Sequence, residues 1–383
     1  MTEPPKIVHL AKYYPPEQGG MESVTQVLAE GISALGFSTR VICFTKHRPA
    51  MESLHDVQVD RFAVDLERAS QPLGWRYAWQ GLRAARSADL VHLHAPNLLA
   101  SMMSLLLPRR VKLLVHWHSD IVGKGMLGAL VRPIERRMLR RADCVIATSD
   151  AYALASPWLV EAGEKVQVIP IGITPPALPA AAAGGRDFES FLQRRKLVLA
   201  LGRLVPYKGF EVLIDAVRHL SDDCAVIIGG SGPLAEALQR QITQAGLADR
   251  VLMPGRLSDA ELQALFGRAT AFCLPSVERS EAFGVVLLEA MARGVPCVAT
   301  RIEGSATAWV NAEGESGLNV PPADPRALAA SLQVLLQDQP LRDRLAQGAR
   351  QRFVALFTAQ RFVEAMQQVY RRLLATDGVR PAS

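Results

Sequence analysis

Two glutamates, Glu281 and Glu289, lie in a stretch that predicts a strand, a loop, a helix and a second strand. Glu281 falls in the loop, and Glu289 falls inside an apolar run that favours a helix beginning near Val285. The free N–H groups and positive dipole of a helix N-terminus suit a phosphate, and a glutamate further along accepts two hydrogen bonds from a vicinal diol. The stretch is therefore a candidate site for a ligand that joins phosphate to ribose.

The start of that helix has a composition that lets a ligand come close. Phe283, Gly284 and Val285 lie there, and a glycine allows near approach to the backbone. The alternative is that both glutamates only solvate a loop and a helix. A glutamate inside an apolar run at the C-terminal end of a strand favours the ligand, because open α/β sheets bind ligands at that edge.

Further candidates follow three other predicted strands. Arg203 and Lys208 lie in the segment GRLVPYKG, after a strand at residues 196–201. A forked guanidinium and a point charge can together neutralise a diphosphate, although two solvated surface cations are the alternative. The remaining candidates are glycines in turns, each of which is weak evidence alone: Gly19 and Gly20 after the first strand, Gly202 before Arg203, and Gly232 in the segment GGSGP.

A strand at residues 111–117 runs into the sequence HWHSD. His116 and His118 share one face of an extended strand, and with Asp120 they offer an alternative metal site. Further ligands are not apparent. For His92 and His94 we expect packing or structural hydrogen bonding.

The order of the elements predicts an α/β protein of two domains. Strands and helices alternate along the chain, as in a doubly wound sheet, and 383 residues suit two domains. Residues 174–187, TPPALPAAAAGGRD, have the composition of a linker. The first strand and helix lack the GxGxxG fingerprint, which argues against a dinucleotide-binding dehydrogenase.

Composition excludes several other classes. The net charge of +6 permits an anionic partner, but no nucleic-acid motif accompanies it. The five cysteines have no metal-type spacing, no signal peptide is evident, and the near-apolar run at residues 98–107 is too short to cross a bilayer. A reduced, cytoplasmic protein is expected.

The segment from Glu281 to Glu289, with Phe283-Gly284 and Glu289-Ala-Met-Ala, resembles the signature of the retaining glycosyltransferases of family 4. GRLVPYKG is similar to the loop that faces the donor diphosphate in that family. The resemblance spans nearly the whole chain and implies the GT-B fold, in which two Rossmann-like domains face each other across a cleft. The implied parts are an acceptor domain at 1–174, a nucleotide-sugar domain at 188–358, and a helix at 359–383 that returns to the first domain.

The resemblance also implies a reaction and a role for each candidate. A hexosyl group would move from a nucleotide-diphospho-sugar to an acceptor hydroxyl with retention of configuration. Arg203 and Lys208 would stabilise the leaving diphosphate, Glu281 would contact the donor sugar, and His118 a sugar hydroxyl. Glu289 would hold the ribose. The other donor-binding residues would be Gly19, Gly20, Gly202, Gly232, Phe283, Gly284 and Val285.

Similarity to bacterial mannosyltransferases of surface polysaccharide synthesis favours GDP-mannose over other nucleotide-sugars, with a lipid-linked or oligosaccharide acceptor. We expect no cofactor, and no essential divalent metal because no Asp-x-Asp motif ends a strand. The basic helix at residues 128–141 predicts contact with an anionic membrane surface, which would place the enzyme at the inner face of the cytoplasmic membrane. Two alternatives stay open: a nucleotide-sugar epimerase of the same architecture, and a non-catalytic sugar-nucleotide-binding subunit.

Overall fold

The computed structural model describes residues 3–17, 19–68, 71–120, 125–175, 186 and 188–375. The chain divides into two compact units. The first unit combines Met1–Thr174 with Phe357–Ser383, and the second comprises Pro175–Leu356. Most of the linker predicted at residues 174–187 lies outside the described residues.

An eight-stranded sheet forms the centre of the first unit, in the order β10-β9-β8-β7-β1-β2-β4-β3. All neighbours pair in parallel except β3, which runs antiparallel to β4 at the edge. A separate hairpin pairs β5 with β6. The strands are β1 Lys6–Leu10, β2 Ser38–Thr45, β3 Ala50–Leu54, β4 Val57–Ala63, β5 Leu66–Arg68, β6 Gln71–Leu73, β7 Leu90–Ala95, β8 Lys112–Trp117, β9 Cys144–Ala147 and β10 Val166–Val168.

The helices of the first unit cover both faces of this sheet. The crossover from β1 to β2 through α1 moves one way along the sheet, and the crossovers through α2, α3 and α4 move the other way. Because such crossovers are right-handed, α1 lies on one face and α2, α3 and α4 on the other. The helices are α1 Gly20–Ala34, α2 Trp75–Arg86, α3 Leu98–Ser104, α4 Gly125–Arg141, α5 Asp150–Ala155, α6 Pro157–Ala162 and the last helix of the chain, α15 Ala359–Ala375.

The last helix completes the first unit by packing on α1. Its apolar stripe, which includes Phe362, Met366, Val369 and Tyr370, is buried. The prediction that the C-terminal helix returns to the N-terminal domain is therefore confirmed.

A six-stranded parallel sheet forms the second unit, in the order β13-β12-β11-β14-β15-β16. The predicted α/β class, with two Rossmann-like parallel sheets, is confirmed. The strands are β11 Lys196–Leu201, β12 Cys224–Gly229, β13 Val251–Gly255, β14 Ala269–Leu274, β15 Cys297–Thr300 and β16 Gly317–Val320. The helices are α7 Glu189–Leu192, α8 Phe210–Val217, α9 Ala235–Gln244, α10 Asp259–Arg268, α11 Val285–Ala292, α12 Thr307–Val310, α13 Pro325–Gln337 and α14 Gln339–Leu356.

The central strands of both sheets are buried because helices cover both faces. The strands β7, β8 and β12 are buried at every position, as expected for parallel strands with helices on both faces. All five cysteines are buried and reduced, so they act as small core residues. Within the part of the chain that the structure describes, no helix has the length and hydrophobicity to cross a bilayer.

Candidate functional site

The loops after β11 and β12 pack against each other so closely that only glycine fits. A Cβ added at Gly230, which has φ +142°, would lie 1.9 Å from the carbonyl oxygen of Gly202. A Cβ at Gly232 would lie 2.4 Å from the carbonyl oxygen of Leu204. At the carboxyl edge of the second sheet, Gly202 and Gly232 are therefore half-buried in this close contact, and the Arg203 side chain beside them is exposed to solvent.

Lys208 and Glu281 form a buried ion pair at the same edge. Each residue is 8% exposed, and Lys208 Nζ lies 2.5 Å from Glu281 Oε2. The hydroxyl of Ser276 donates a second hydrogen bond to this carboxylate oxygen, at 2.9 Å. Burial alone would lower the pKa of Lys208, but the Glu281 carboxylate outweighs it and raises that pKa, so the ammonium stays charged.

The local fold explains why these two residues meet. A short 3₁₀ turn, Pro206–Lys208, ends at Gly209, whose φ of +64° reverses the chain into α8. A Cβ at Gly209 would lie 2.2 Å from the carbonyl oxygen of Pro275, so this turn packs directly on the loop that carries Glu281. The backbone N–H of Val277 also donates to the carbonyl of Tyr207. The ion pair thus joins two loops that already touch.

The N-terminus of α11 follows Glu281 directly. Gly284 is the residue before the helix and has φ +81°, the left-handed region that favours glycine. Phe283 and Gly284 are buried, and Val285 is half-buried. The Ser305 hydroxyl donates to the carbonyl of Glu281 at 2.5 Å, which fixes the loop from its far side. The strand, loop, helix and strand predicted here are all present.

Glu289 lies on α11 and is half-buried. Burial raises the pKa of its carboxyl, and the nearby Arg293 acts in the opposite direction. The Arg293 guanidinium donates to the carbonyl oxygen of Glu289 at 2.8 Å. The structure therefore brings Gly202, Arg203, Lys208, Gly232, Glu281, Phe283, Gly284, Val285 and Glu289 into one unit, at the ends of three strands and on one helix.

Gly19, Gly20 and His118 belong to the first unit. Gly19 precedes α1, which begins at Gly20, and the Glu22 carboxylate lies over Gly19, since a Cβ there would meet it at 2.2 Å. The preceding loop is fixed by Arg61 of β4. The loop and its anchors make these contacts: Arg61 donates to the carbonyls of Tyr14 and Pro15 and pairs with Glu17 and Glu52, and Glu17 accepts from Thr45 Oγ1 and the Lys46 N–H.

His118 is the outer member of a stack of five histidines that the sequence analysis did not anticipate. His9 pairs with His92, and His94 with His116, across neighbouring strands. The His116 and His118 rings stack at 4.2 Å between centroids and 11° between planes. His94 Nδ1 lies 3.0 Å from His118 Nε2, and His9 Nδ1 lies 3.1 Å from His94 Nε2. The stack lies beneath α1 and α15.

The alternative metal site does not take the predicted form. Asp120 joins neither of the two histidine groups with metal-type spacing among the described residues, His9/His92/His94 and His94/His116/His118. Its Oδ1 instead accepts hydrogen bonds from Trp117 Nε1 at 2.8 Å and Ser156 Oγ at 2.7 Å.

Glu135 is a second feature that the sequence analysis missed. It is fully buried on α4, and neither carboxyl oxygen has a hydrogen-bond partner among the described residues. Burial, and secondarily Asp120, raises the pKa of this carboxyl to about 7. Glu135 is spaced at helical intervals from Val131, Met138 and Leu139, which are buried on the same helix. This spacing could have predicted that Glu135 lies on the buried face.

Two units built on largely parallel sheets, with glycine turns and two cationic side chains at one edge of the second sheet, are the arrangement that the resemblance to GT-B glycosyltransferases predicts. Two family models agree: residues 19–172 match the glycosyl transferase 4-like domain, and residues 186–352 match the glycosyl transferases of group 1. The chain belongs to the group 1 glycosyltransferases of GT-B fold, and the resemblance drawn from Glu281 to Glu289 is confirmed.

Individual relatives extend over nearly the whole chain. The chain is 29% identical over 378 residues to the O-antigen chain mannosyltransferase C of Escherichia coli, covering 96% of this chain and 99% of that one. It is 31% identical over 357 residues to the D-rhamnosyltransferase WbpZ of Pseudomonas aeruginosa, covering 92% of each. Among solved structures, the Anabaena protein Alr3699/HepE in complex with UDP-glucose has a TM-score of 0.73 at 21% identity, covering 96% of this chain and 99% of that one.

Proposed function

We propose that this glycosyltransferase moves a mannosyl group from GDP-mannose to a hydroxyl of a lipid-linked or oligosaccharide acceptor, with retention of configuration, in the synthesis of a bacterial surface polysaccharide or glycolipid. The observation that carries the proposal is the buried Lys208–Glu281 pair, which adjoins the N-terminus of α11. A charged lysine at a helix N-terminus is a preorganised site for the negative charge of a leaving diphosphate.

In this mechanism the main contribution to catalysis is electrostatic stabilisation of the leaving diphosphate. Arg203, which is exposed, and Lys208, which is buried, stabilise the diphosphate as its bond to the sugar breaks. The N-terminus of α11, which begins at Val285 directly after Phe283 and Gly284, adds the field of the helix dipole. Binding of the diphosphate draws the ammonium of Lys208 partly away from Glu281. That carboxylate is then available to accept hydrogen bonds from donor-sugar hydroxyls.

Three further contacts complete the proposed donor site. Glu289 accepts the two ribose hydroxyls, since its half-buried carboxylate lies further along α11. His118 contacts a sugar hydroxyl near the reacting carbon. Burial lowers the pKa of His118 to about 3, so its ring is neutral and acts as a hydrogen-bond partner rather than as a cation. The acceptor proton passes to an oxygen of the leaving phosphate, on the same face of the sugar.

The donor sugar is proposed from the relatives. The Escherichia coli relative is a mannosyltransferase of the O-antigen chain, and the Pseudomonas aeruginosa relative transfers D-rhamnose. Both names describe transferases, which supports transfer over the epimerase and binding-subunit alternatives. The HepE complex contains UDP-glucose, so UDP is the nucleotide whose affinity must be compared with that of GDP.

We also propose that the reaction needs no cofactor and no essential divalent metal, because Arg203, Lys208 and the α11 dipole supply the positive charge that a metal would otherwise bring. The enzyme would work in the cytoplasm, at the inner face of the membrane. The exposed arginines of α4, within the basic segment 128–141, would contact anionic headgroups there.

Calorimetric titration of the purified protein with GDP, UDP and ADP in EDTA tests the donor proposal. We expect GDP to bind at least tenfold more tightly than the other two, and GDP-mannose to be consumed in the same buffer. Tighter binding of UDP would contradict GDP-mannose as the donor and would indicate a UDP-sugar instead. Binding or turnover restored only by magnesium would contradict the metal-independent site.

A further inference from the structure

The outer face of the helix layer formed by α2, α3 and α4 combines exposed apolar side chains with arginines. The helices lie side by side on one face of the eight-stranded sheet, with α3 in contact with both α2 and α4. This face is opposite the face covered by α1 and α15. It is therefore separate from the histidine stack and from the packing of the last helix.

On α2 an exposed stripe runs along the whole helix. Trp75 is 64% exposed and Trp79 is 59% exposed, although tryptophan is normally well buried. Arg83 and Arg86 continue the stripe at helical spacing, and Arg76 lies beside it with its guanidinium 5.3 Å from the Trp75 ring centroid. The opposite side of α2 holds the helix to the sheet through four buried residues: Tyr77, Gly81, Ala84 and Ala85.

The end of α3 extends this stripe with leucines. Leu106 is 57% exposed, and Leu105 and Met102 are also exposed. The Arg86 guanidinium donates to the carbonyl oxygen of Leu106 at 3.2 Å, and Arg110 donates to the carbonyl of Arg86 at 2.5 Å. These bonds join the two elements around a groove of about 500 Å³, lined by Arg86, Leu105, Leu106, Leu107, Pro108 and Arg110.

On the part of α4 whose side chains are described, residues 131–141, the exposed residues are four arginines and Pro133. Arg132, Arg136, Arg137 and Arg140 line a second groove of about 390 Å³ with Pro133. Glu161 pairs with two of these arginines, Arg136 at 2.9 Å and Arg140 at 3.5 Å, and leaves the other two unneutralised by it. The only acidic residue within the described side chains of α2, α3 and α4 is Glu135, which is buried. The layer therefore has a single sign of charge.

We propose that this three-helix face, here called the tryptophan–arginine surface, docks on an anionic lipid bilayer. It comprises Trp75, Arg76, Trp79, Arg83, Arg86, Met102, Leu105, Leu106, Arg109, Arg110, Arg132, Arg136, Arg137 and Arg140. Tryptophan settles at the headgroup level and leucine just beneath it, while arginine pairs with lipid phosphates. The inference rests on the proposed membrane contact of the basic helix, and adds the apolar anchors that the described part of α4 does not itself expose.

Charge complementarity favours lipid over a second copy of the chain. A symmetric pairing through this surface would place arginines of one copy against arginines of the other, and like charges in contact disfavour association. An anionic bilayer meets the same residues with the opposite charge. It also offers an apolar phase to the two tryptophans and the leucines.

Vesicle flotation with a Trp75→Ser/Trp79→Ser double variant tests the surface. Wild-type protein should float with vesicles of 30% phosphatidylglycerol in phosphatidylcholine, and binding should fall as salt rises because headgroup attraction is screened. The double variant should bind at least tenfold more weakly. Val334→Ser, which removes an exposed apolar side chain from α13 in the other unit, is the matched control and should bind like wild type.

A charge variant provides an independent arm. Replacing Arg83, Arg132 and Arg137 by glutamine should remove most of the salt-sensitive binding to anionic vesicles while both tryptophans remain. Wild-type failure to float, or equal flotation of the tryptophan double variant, would overturn the proposal. A double variant that lowers the sedimenting mass of the free protein would also overturn it, because the surface would then join two copies.

Nucleotide titration separates this inference from the proposed function. Both surface variants should bind GDP with unchanged affinity, since none of the substituted residues is among the proposed donor-binding residues. Vesicle binding without any nucleotide binding would refute the proposed donor site and leave the surface standing. Nucleotide binding without vesicle binding would do the reverse.

Discussion

Replacing Lys208 by methionine is expected to lower kcat by a factor on the order of 10² to 10³, the usual consequence of removing one preorganised group from a site where negative charge develops. The side-chain volume is nearly kept, and the ammonium that pairs with Glu281 is lost. Initial rates with saturating GDP-mannose measure the effect. Unchanged kcat would remove Lys208 from the mechanism.

Loss of folding stability is the competing explanation for such a result, and a double variant separates the two. Lys208→Met alone leaves a buried carboxylate without its cation, which costs about 3 kcal/mol of unfolding free energy. Adding Glu281→Gln removes the unpaired charge and should restore much of the stability, but not the rate. Recovery of both together would mean that the pair is only structural.

A surface ion pair in the same unit provides the matched control. Lys196 Nζ lies 2.9 Å from Asp223 Oδ2, and both side chains are well exposed. Exposed pairs contribute about 0 to 1 kcal/mol, so Lys196→Met should change neither the unfolding midpoint nor kcat measurably. A loss of rate at Lys208 but not at Lys196 would therefore be due to the position of Lys208 in the site and not to the loss of a positive charge as such.

The histidine stack predicts that the first unit loses stability steeply below about pH 6.5. His9, His92, His94 and His116 are fully buried, and burial lowers the pKa of each, to about 3 for His9 and well below the ordinary value for the others. The unfolded chain takes up protons near pH 6.5 and the folded chain does not, so stability is complete above that pH. As the pH falls below about 6.5, each histidine lowers the free energy of unfolding by up to about 1.4 kcal/mol per pH unit.

Urea unfolding at pH 7.5, 6.5, 5.5 and 4.5 measures this effect. Tryptophan fluorescence reports mainly on the first unit, because four of the five tryptophans, at positions 75, 79, 117 and 158, belong to it. We expect a nearly constant midpoint between the two highest pH values and a sharp fall below them. A midpoint that stays flat to pH 4.5 would show that the stack accepts protons without loss of folding.

Two histidine substitutions make the interpretation specific. Neither ring nitrogen of His116 has a hydrogen-bond partner among the described residues. His116→Phe should therefore lower the number of protons taken up on unfolding in acid by about one, and should change the free energy of unfolding little near neutral pH. His219 is exposed in the second unit, and His219→Gln should leave the curve unchanged.

Much of the second unit could be predicted from sequence because its signals are local. The end of β14, the loop, α11 and its terminal glycines occur within a single stretch, and helix and strand periods determine them. The pairing of Lys208 with Glu281 could not be predicted in this way. It depends on Gly209 packing against Pro275, a contact between segments far apart in sequence.

The first unit was harder to predict from sequence, for two reasons. Strands β3, β4 and β5 were missed because charged residues interrupt them, and β6 was missed because it has only three residues. A buried charge such as Asp60 of β4 is satisfied only in three dimensions, by pairing with Arg40 of β2. His92, His94, His116 and His118 were each visible in sequence. Their convergence with His9 required the order and register of three strands, which no local pattern specifies.

The configuration of the sugar released from GDP-mannose tests the central claim most directly. Proton NMR of the protein with GDP-mannose and octyl α-mannoside, recorded before the anomers of any free sugar equilibrate, reports the new anomeric centre. The account predicts an α-mannoside, or α-mannose where water replaces the acceptor, because a retaining transferase keeps the configuration of its donor. A β product, or conversion of the donor sugar into its epimer without transfer, would contradict it.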